Sequence, residues 1–381
     1  MQAQPYSQGA VSENESLIAS KAANFVKRAI TAARASTTGK NVDVYTLCGL
    51  FSLEVVLQCA FNHDSGEAAD GDSLKLLHAM DKAAQTLPIQ ATVPMIGKLG
   101  IGRYLPGFAG VAYRGLDEWA EMTRSLIAQF QQEEKALDKS HRFMVTPLLV
   151  NSDDFLGRRL TEAEVLEESM GIAFAGSGTT STTLTYLIYA MSRPEAAEYQ
   201  AKLRKELQKA AAMKGAKLRL KELQDLPFLN AVIKETMRLY PTIISTLPRT
   251  LEAPLELTAG QGTRTVVLPP GVDVGMQNYV HHQDRELFPE PGKFMPERWL
   301  DDSDPSRLKD MQSALTPFSV GPRNCIGQNL ARAELYLAVS EIFGRLGLQL
   351  NDTMAADDMF MEDRFNIAPR GRRLVVDVDV L

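Results

Sequence analysis

The sequence predicts a mainly α-helical protein with small β-sheets, an α+β fold in which helices come first and short strands later. Apolar residues recur at helical spacing over residues 13–62, and one candidate helix runs over residues 162–192. Beyond residue 241, short β-like runs such as TRTVVLPPG alternate with proline and glycine turns. These three observations favour a helical body with strands added late in the chain.

Composition indicates globular material with a small-molecule partner. The chain has 381 residues, of which 45% are hydrophobic, a formal net charge of -6, and no basic block of the kind that binds nucleic acid. Its three cysteines are too widely spaced for a disulfide framework or a paired-thiol zinc site. The N-terminal residues show neither the apolar core of a signal peptide nor the roughly 20 apolar residues of a membrane span.

The first part of the chain predicts helices joined by polar turns. Two helices are expected within residues 13–62, separated by STTGKN, and Cys48 and Cys59 in the second are expected to be buried structural thiols. Residues 87–106 are rich in glycine and proline and predict a connector. A charged helix is expected over residues 111–138, and a loop is expected from there to residue 157.

The longest predicted helix covers residues 162–192. Thr161 and Glu164 form a capping-box signature and Pro194 marks the end, so the helix is expected to be roughly 45 Å long. Its middle is rich in glycine and threonine, and each interior glycine costs roughly 1 kcal/mol relative to alanine. Such residues indicate either tight helix packing, close approach of another group, or a hydroxyl that opens the helical hydrogen bonds. The glycines are Gly171, Gly176 and Gly178.

The remainder of the chain predicts two more helices, short strands and a long irregular segment. Helices are expected over residues 194–215 and in LPFLNAVIKETMRLYP, which ends at Pro241. Residues 284–316 read as coil, and a coil of this length is expected to be functional or held in place. Helical periodicity returns over residues 328–346, and the tail RRLVVDVDVL alternates like a strand.

The stretch PFSVGPRNCIGQNL places Cys325 in a loop just before a helix. Since the positive end of a helix dipole favours thiolate, we expect the pKa of this thiol to be lowered, and thiolate binds metal. Gly321 and Gly327 would let a flat cofactor approach the backbone, Phe318 would pack on its face, and Arg323 would reach an anionic group at its edge.

The spacing F-x-x-G-x-R-x-C-x-G resembles the cysteine-ligand loop of the cytochrome P450 superfamily, the haem-thiolate monooxygenases. Two further motifs in the same order support the resemblance. Glu235 and Arg238 in KETMRLYP match the E-x-x-R helix of the family, and Arg298 in FMPERW stands where the third member of its Glu-Arg-Arg network is expected. This network would hold the 284–316 coil against the core. Without the other motifs, Glu235 and Arg238 would read as a surface ion pair.

The resemblance assigns the long helix to the oxygen side of the haem. AGSGTT aligns with the (A/G)-G-x-(D/E)-T-T of the family, which gives Thr179 the oxygen-side hydroxyl, with Thr180 beside it and Ala175 next to the haem. Gly178 stands where Asp or Glu is usual. Proton transfer needs a relay there, so we expect water to replace the carboxylate, with Ser177 or Thr180 as the alternative.

The resemblance also implies a cofactor, a pocket and partners. Cys325 would bind the iron of haem b, and Arg249 would contact a haem propionate. A lipophilic small molecule would be oxygenated with electrons from an NADPH-cytochrome P450 reductase, in secondary metabolism or detoxification. Apolar residues would line the substrate pocket. These residues are Phe174, Ile243, Ile244 and Phe365.

The resemblance covers residues 1–381 as one domain but lacks the beginning of the microsomal type. The membrane anchor, the first strands and the W-x-x-x-R helix have no counterpart, and neither Trp119 nor Trp299 supplies that motif. We expect a fragment or isoform of an enzyme anchored in the endoplasmic reticulum membrane on its cytosolic face. Two alternatives stay open: a non-catalytic remnant that binds haem weakly or not at all, and a haem-thiolate isomerase or dehydratase.

Overall fold

The computed structural model describes residues 3–37, 39–66, 71–134, 143–150, 152, 156–259, 264–301 and 303–381. In these residues helices predominate and the strands form small antiparallel sheets, which confirms the predicted α+β class. The helices are α1 Gln8–Glu13, α2 Glu15–Ala35, α3 Val44–Phe61, α4 Asp72–Ala84, α5 Thr86–Thr92, α6 Pro94–Lys98, α7 Gly107–Glu134, α8 Thr146–Val150, α9 Glu162–Ser192, α10 Ala197–Lys214, α11 Leu220–Gln224, α12 Pro227–Leu239, α13 Asn278–His282, α14 Pro305–Ala314 and α15 Gln328–Arg345.

The strands pair only antiparallel, and the largest sheet joins the two ends of the chain. In that sheet the C-terminal strand lies between β1 and β6, with Val376 opposite Val42 and Val378 opposite Leu348. These four side chains are buried, so the alternating tail closes the core. The strands are β1 Asn41–Asp43, β2 Arg249–Thr250, β3 Leu255–Ala259, β4 Arg264–Leu268, β5 Asp273–Val274, β6 Leu346–Leu350, β7 Met361–Arg364, β8 Asn366–Pro369 and β9 Val375–Val380.

The long helix α9 has the predicted bounds. Thr161 accepts from the backbone N–H of Glu164, and the Glu164 carboxylate accepts from the backbone N–H of Thr161, so both halves of the capping box are present. Helix α3 packs along α9, and a Cβ built on Gly176 would lie 2.6 Å from a Val56 methyl. Gly176 therefore allows close helix packing, which was one of the sequence-based alternatives.

Helix α3 is apolar on all sides and lies in the core. It is long and apolar enough to cross a membrane, with a mean hydropathy of 1.7, and 83% of it is buried inside the fold. Cys48 and Cys59 lie in this helix and are buried, as predicted. Helix α15 packs against α2 and α9, so the three helices α3, α9 and α15 meet in one place.

Three segments contain more helix than the sequence predicted. The 87–106 connector contains α6, the loop expected from residue 138 to 157 contains α8, and the 284–316 coil contains a 3₁₀ turn, Pro296–Trp299, and α14. Prolines were read as helix breakers, yet Pro94, Pro296 and Pro305 occupy the first turn, where the missing N–H is not needed. The predicted helix over 111–138 is described from Gly107 to Glu134, and its predicted end lies outside the described residues.

Candidate functional site

A buried ionic network holds the irregular segment after α13. Arg238 of α12 donates from Nε and Nη2 to the two carboxylate oxygens of Glu235, at 2.9 and 2.8 Å. Arg298 donates from Nε to Glu235 Oε1 at 3.0 Å, and the Trp299 indole donates to Oε2 at 2.9 Å. Glu235 and Arg238 are fully buried, which rules out the alternative of a surface pair.

The outer nitrogens of both arginines bind backbone carbonyls of the same segment. Arg238 donates to the carbonyls of His282, Pro291 and Lys293 at 2.8–3.1 Å. Arg298 donates to the carbonyl of Pro289 at 2.9 Å. A chain without regular secondary structure is thus fixed by charge-assisted bonds to side chains of the core.

The Cys325 loop is shaped by its backbone. The Cys325 N–H donates to the Phe318 carbonyl at 2.9 Å, and the Asn324 N–H donates to the Gly321 carbonyl at 3.1 Å. Gly321 has a φ of +80°, a conformation that L side chains rarely adopt. The Phe318 ring lies 5.1 Å from the Arg332 guanidinium. The tight turn leaves the Cys325 side chain exposed.

The pKa of the Cys325 thiol is shifted in the direction opposite to the one that the sequence predicted. Although Cys325 is exposed at the surface of the cavity, the protein atoms around its sulfur partly desolvate a thiolate and raise the pKa of the thiol, and a hydrogen bond from the Gly327 backbone only partly offsets this. The predicted lowering by the helix dipole is wrong because α15 begins at Gln328, three residues beyond Cys325, and the dipole acts mainly over the first turn. A cation at the sulfur would reverse the direction, since a coordinating thiol is deprotonated.

Cys325 and Thr179 line the same cavity of about 1290 Å³. This volume exceeds the roughly 300–1,000 Å³ of ordinary ligand pockets, which leaves room for a large cofactor with a substrate beside it. Most predicted contact residues line it too, and they come from α9, the segment after α12 and the Cys325 loop. They are Ala175, Thr180, Ile243, Arg249, Phe318, Arg323 and Gly327.

The hydroxyls of α9 bond back to their own helix. Thr179 donates to the Ala175 carbonyl at 2.8 Å and Ser177 donates to the Ala173 carbonyl at 2.7 Å. Thr183 extends this pattern, because its hydroxyl lies 3.1 Å from the Thr179 carbonyl and 3.0 Å from the Thr242 hydroxyl. The helix stays continuous, so the hydroxyl-opened helix among the alternatives is not observed.

Five predicted site residues lie outside the lining of the large cavity. Phe174 and Gly178 line a second cavity of about 260 Å³ between α3, α4, α9 and β8. The Phe365 ring lies tilted against the Phe174 ring with the centroids 6.2 Å apart, and Ile244 packs on the core. Gly321 forms the turn of the Cys325 loop.

A side-chain amide lies next to Gly178, the position at which the motif of the resembled family has a carboxylate. Asn366 Nδ2 lies 3.4 Å from the Gly178 carbonyl, and a Cβ on Gly178 would meet the same amide at 3.4 Å. Ser177 also lines the second cavity, whereas Thr180 lines the large one. Of the two side chains considered as substitutes for the acid, only Thr180 therefore shares a cavity with Cys325.

Sequence reasoning did not single out two polar residues of the large cavity. Tyr6 and Glu334 line it, and burial raises the pKa of the Tyr6 phenol. A signal existed only for Glu334, which is an acid within the apolar run of ARAELYLAVS. Tyr6 belongs to a segment whose position depends on the fold.

The side chains around Cys325 suit a metal ion that is already coordinated by an organic group. Among the described residues no cluster of three His, Cys, Asp or Glu side chains could hold a metal ion. A single thiol holds a transition metal only when an organic group supplies the other ligands, as in haem. The residues around Cys325 suit such a group, because the cavity combines one thiol with two arginines, Arg249 and Arg323.

Comparison with known proteins places the chain in one family. The family model described as Cytochrome P450 matches residues 3–375. The chain is 31% identical over 343 residues to cytochrome P450 monooxygenase orf2 of Aspergillus niger, covering 88% of this chain and 65% of that protein. It is 30% identical over 359 residues to the monooxygenase azaI of Aspergillus niger, covering 88% and 72%.

A third relative matches over a shorter range. The chain is 36% identical over 198 residues to cytochrome P450 monooxygenase TRI4 of Fusarium sporotrichioides, covering 52% of this chain and 36% of that protein. The chain therefore spans about two thirds of the length of the first two relatives, and the alignment to TRI4 covers about one third of that protein.

Proposed function

Because this chain belongs to the cytochrome P450 family, we propose that it is a haem-thiolate monooxygenase whose iron is bound by Cys325. One observation carries the proposal: the only exposed cysteine and the threonine of AGSGTT line one cavity large enough for haem b and a substrate. Arg249 and Arg323 would bind the propionates, and Gly327 and Ala175 would leave room for the porphyrin plane.

The bound haem would supply dioxygen activation, with electron donation from the thiolate favouring O–O cleavage. The chain's own residues would hold the substrate, orient the hydroxyl of Thr179 and admit a proton donor. Since Gly178 offers no carboxylate and its neighbour Asn366 is an amide, solvent is the proposed donor. Glycine leaves the space that such a water needs.

The substrate is proposed to be a lipophilic small molecule of secondary metabolism or detoxification. Many of the side chains on the cavity wall are apolar, as is typical of pockets for small organic molecules. Ile172, Met237 and Ile243 are among the apolar ones.

Electrons are proposed to come from an NADPH-cytochrome P450 reductase that binds near the Cys325 loop. Arg323, Arg332 and Lys309 are exposed around this loop and would attract an acidic partner. Such a contact would depend on ionic strength, because exposed charges are screened by salt.

Membrane association at the cytosolic face of the endoplasmic reticulum is also proposed. The region from α5 to the start of α7 exposes large apolar side chains close together in sequence, and such a patch is typical of a contact with protein or membrane. They are Leu87, Val93, Met95, Leu99, Ile101, Tyr104, Phe108 and Val111.

Turnover with isotopically labelled dioxygen tests the proposed reaction. We expect the haem-loaded chain, supplied with reductase, NADPH and a bound apolar substrate, to incorporate one labelled oxygen atom. Gly178→Asp should fold, since the added Cβ has ordinary contacts, and should change the ratio of product to NADPH consumed. An unchanged ratio would overturn the role given to solvent at Gly178.

Two outcomes would favour the alternatives. Conversion of substrate without consumption of dioxygen would assign an isomerase or dehydratase. A folded chain that takes up no haem would be a remnant without this chemistry.

A further inference from the structure

A carboxyl group lies buried where α3, α9 and α15 meet, and nothing in the proposed reaction uses it. Glu334 of α15 is 1% exposed. Its Oε2 lies 2.9 Å from the Ser52 hydroxyl, and its Oε1 has no hydrogen-bond partner. In the part of the chain that the structure describes, no Lys, Arg or His pairs with it. A lone buried carboxylate is strongly disfavoured, whereas the neutral acid is not.

The Ser52 hydroxyl contacts two oxygens. It lies 2.9 Å from Glu334 Oε2 and 3.1 Å from the Gly176 carbonyl of α9. A serine has one hydrogen, and a carbonyl only accepts. Both contacts are full two-centre hydrogen bonds only if the carboxyl donates to Ser52 and Ser52 donates to Gly176.

We propose that Glu334 is a neutral carboxylic acid in the native protein and that the chain Glu334 to Ser52 to Gly176 fixes α9 relative to α15. Helix α15 directly follows the Cys325 loop, and α9 carries Thr179 three residues beyond Gly176. Glu334 is thus a positioning residue that ties the thiol side of the cavity to the hydroxyl side. The protonation of Glu334 does not depend on the proposed function. Only the role of Glu334 in positioning the two sides of the cavity rests on that function.

The surroundings support this protonation. Burial raises the pKa of Glu334 well above its ordinary value, and the bond to Ser52 only partly offsets this. The neighbouring thiol of Cys59 in α3 is itself held neutral, because burial raises its pKa to about 12. The buried cations of α2 are engaged elsewhere, with Lys21 on Asp64 and Arg28 on Glu54.

Infrared spectroscopy tests the proton directly. We expect the full chain at neutral pH to show the C=O stretch of a protonated carboxylic acid, shifted in heavy water and absent from Glu334→Gln. Glu54→Gln is the matched control: Glu54 is also buried but pairs with Arg28 at 2.8 Å, so its replacement should leave the band. Absence of the band in the native chain, or its survival in Glu334→Gln, overturns the proposal.

Hydrogen exchange tests the link between the helices. Ser52→Ala removes the hydroxyl that links Glu334 to the Gly176 carbonyl. This should accelerate amide exchange in the part of α9 around Gly176. Glu334→Gln should not, because its amide can still donate to Ser52. Equal acceleration by both variants, or none by Ser52→Ala, overturns the positioning role. These readouts need no turnover, so a failed oxygenation assay would leave them interpretable.

Discussion

Residues 284–300 and residues 316–327 both follow α13 and both lack long regular elements, but they are held in opposite ways. The first segment is fixed by Glu235, Arg238 and Arg298, whose charged groups are engaged with one another and with backbone carbonyls. The second segment is fixed by backbone hydrogen bonds and a left-handed glycine, Gly321.

The difference distinguishes a segment that belongs to the structural framework, residues 284–300, from a segment that lines the candidate site, residues 316–327. In the first segment, the buried charged groups of Glu235, Arg238 and Arg298 are committed to structure. In the second, the backbone carries the structure, so Cys325 and Arg323 remain exposed to the cavity. Residues that bind ligands are commonly found on loops that a rigid framework positions, and here the buried network belongs to that framework.

The largest expected effect follows from breaking the first segment. Glu235→Gln would leave two buried guanidinium groups without a counter-charge, which costs about 3–5 kcal/mol of unfolding free energy. We expect a large drop in the midpoint of denaturant unfolding. Glu290→Gln is the control, because Glu290 makes an exposed pair with Lys293 in the same segment and should change little. Equal small losses in both would contradict the scaffold role.

One histidine joins the two segments and makes their attachment sensitive to pH. The His282 carbonyl accepts from Arg238, and its Nε2 accepts from the backbone N–H of Thr316 at 3.2 Å. Burial, with His281 and Arg238 nearby, lowers the pKa of His282 from 6.5 to about 4. The neutral form is therefore the native one, and stability is complete above pH 6.5 and falls as the pH decreases toward 4.

The loss that this histidine causes should reach about 3 kcal/mol near pH 4, from the shift in its pKa. His282→Gln keeps an acceptor for Thr316 but does not titrate, so its unfolding free energy should decline less over this pH range. The exposed His78→Gln serves as the control and should follow the native curve. Parallel curves for all three proteins would show that His282 does not carry the effect.

A smaller effect distinguishes the two segments by their glycines. Gly321→Ala should lose about 1–2 kcal/mol, because its φ of +80° is unfavourable for alanine and nothing else crowds the site. Gly292→Ala in the first segment has open space and no such backbone angle, and should be neutral or slightly stabilising. Equal unfolding midpoints would mean that the Cys325 loop tolerates relaxation of its turn.

The sequence predicted best what depends on local chemistry. The capping box of Thr161 set the start of α9, and Pro194 set its end. The Glu235, Arg238 and Arg298 contacts were expected from the family resemblance, and the structure brings these residues together. Their functional roles, like those of the other site residues, remain predictions.

What the sequence did not predict depends on three-dimensional placement. The direction of the Cys325 pKa depends on enclosure by distant residues, and Glu334 bonds to Ser52, which lies 282 positions away in the chain and which in turn bonds to the Gly176 carbonyl. Phe174 was expected in the substrate pocket, but a helix turns adjacent residues to different faces, and Phe174 lines the second cavity although Ala175 lines the large one. Gly178 was placed by its match to the acid position of the family motif, and it lines the second cavity too.

The most direct test of thiolate ligation is the difference spectrum of the reduced, carbon-monoxide-bound protein after expression with haem supply. We expect a red-shifted Soret band in the native chain and in Cys48→Ala, and its loss in Cys325→Ala with the fold retained. A band that survives in Cys325→Ala, or no such band in the folded native chain, would contradict the assignment of Cys325 as the iron ligand.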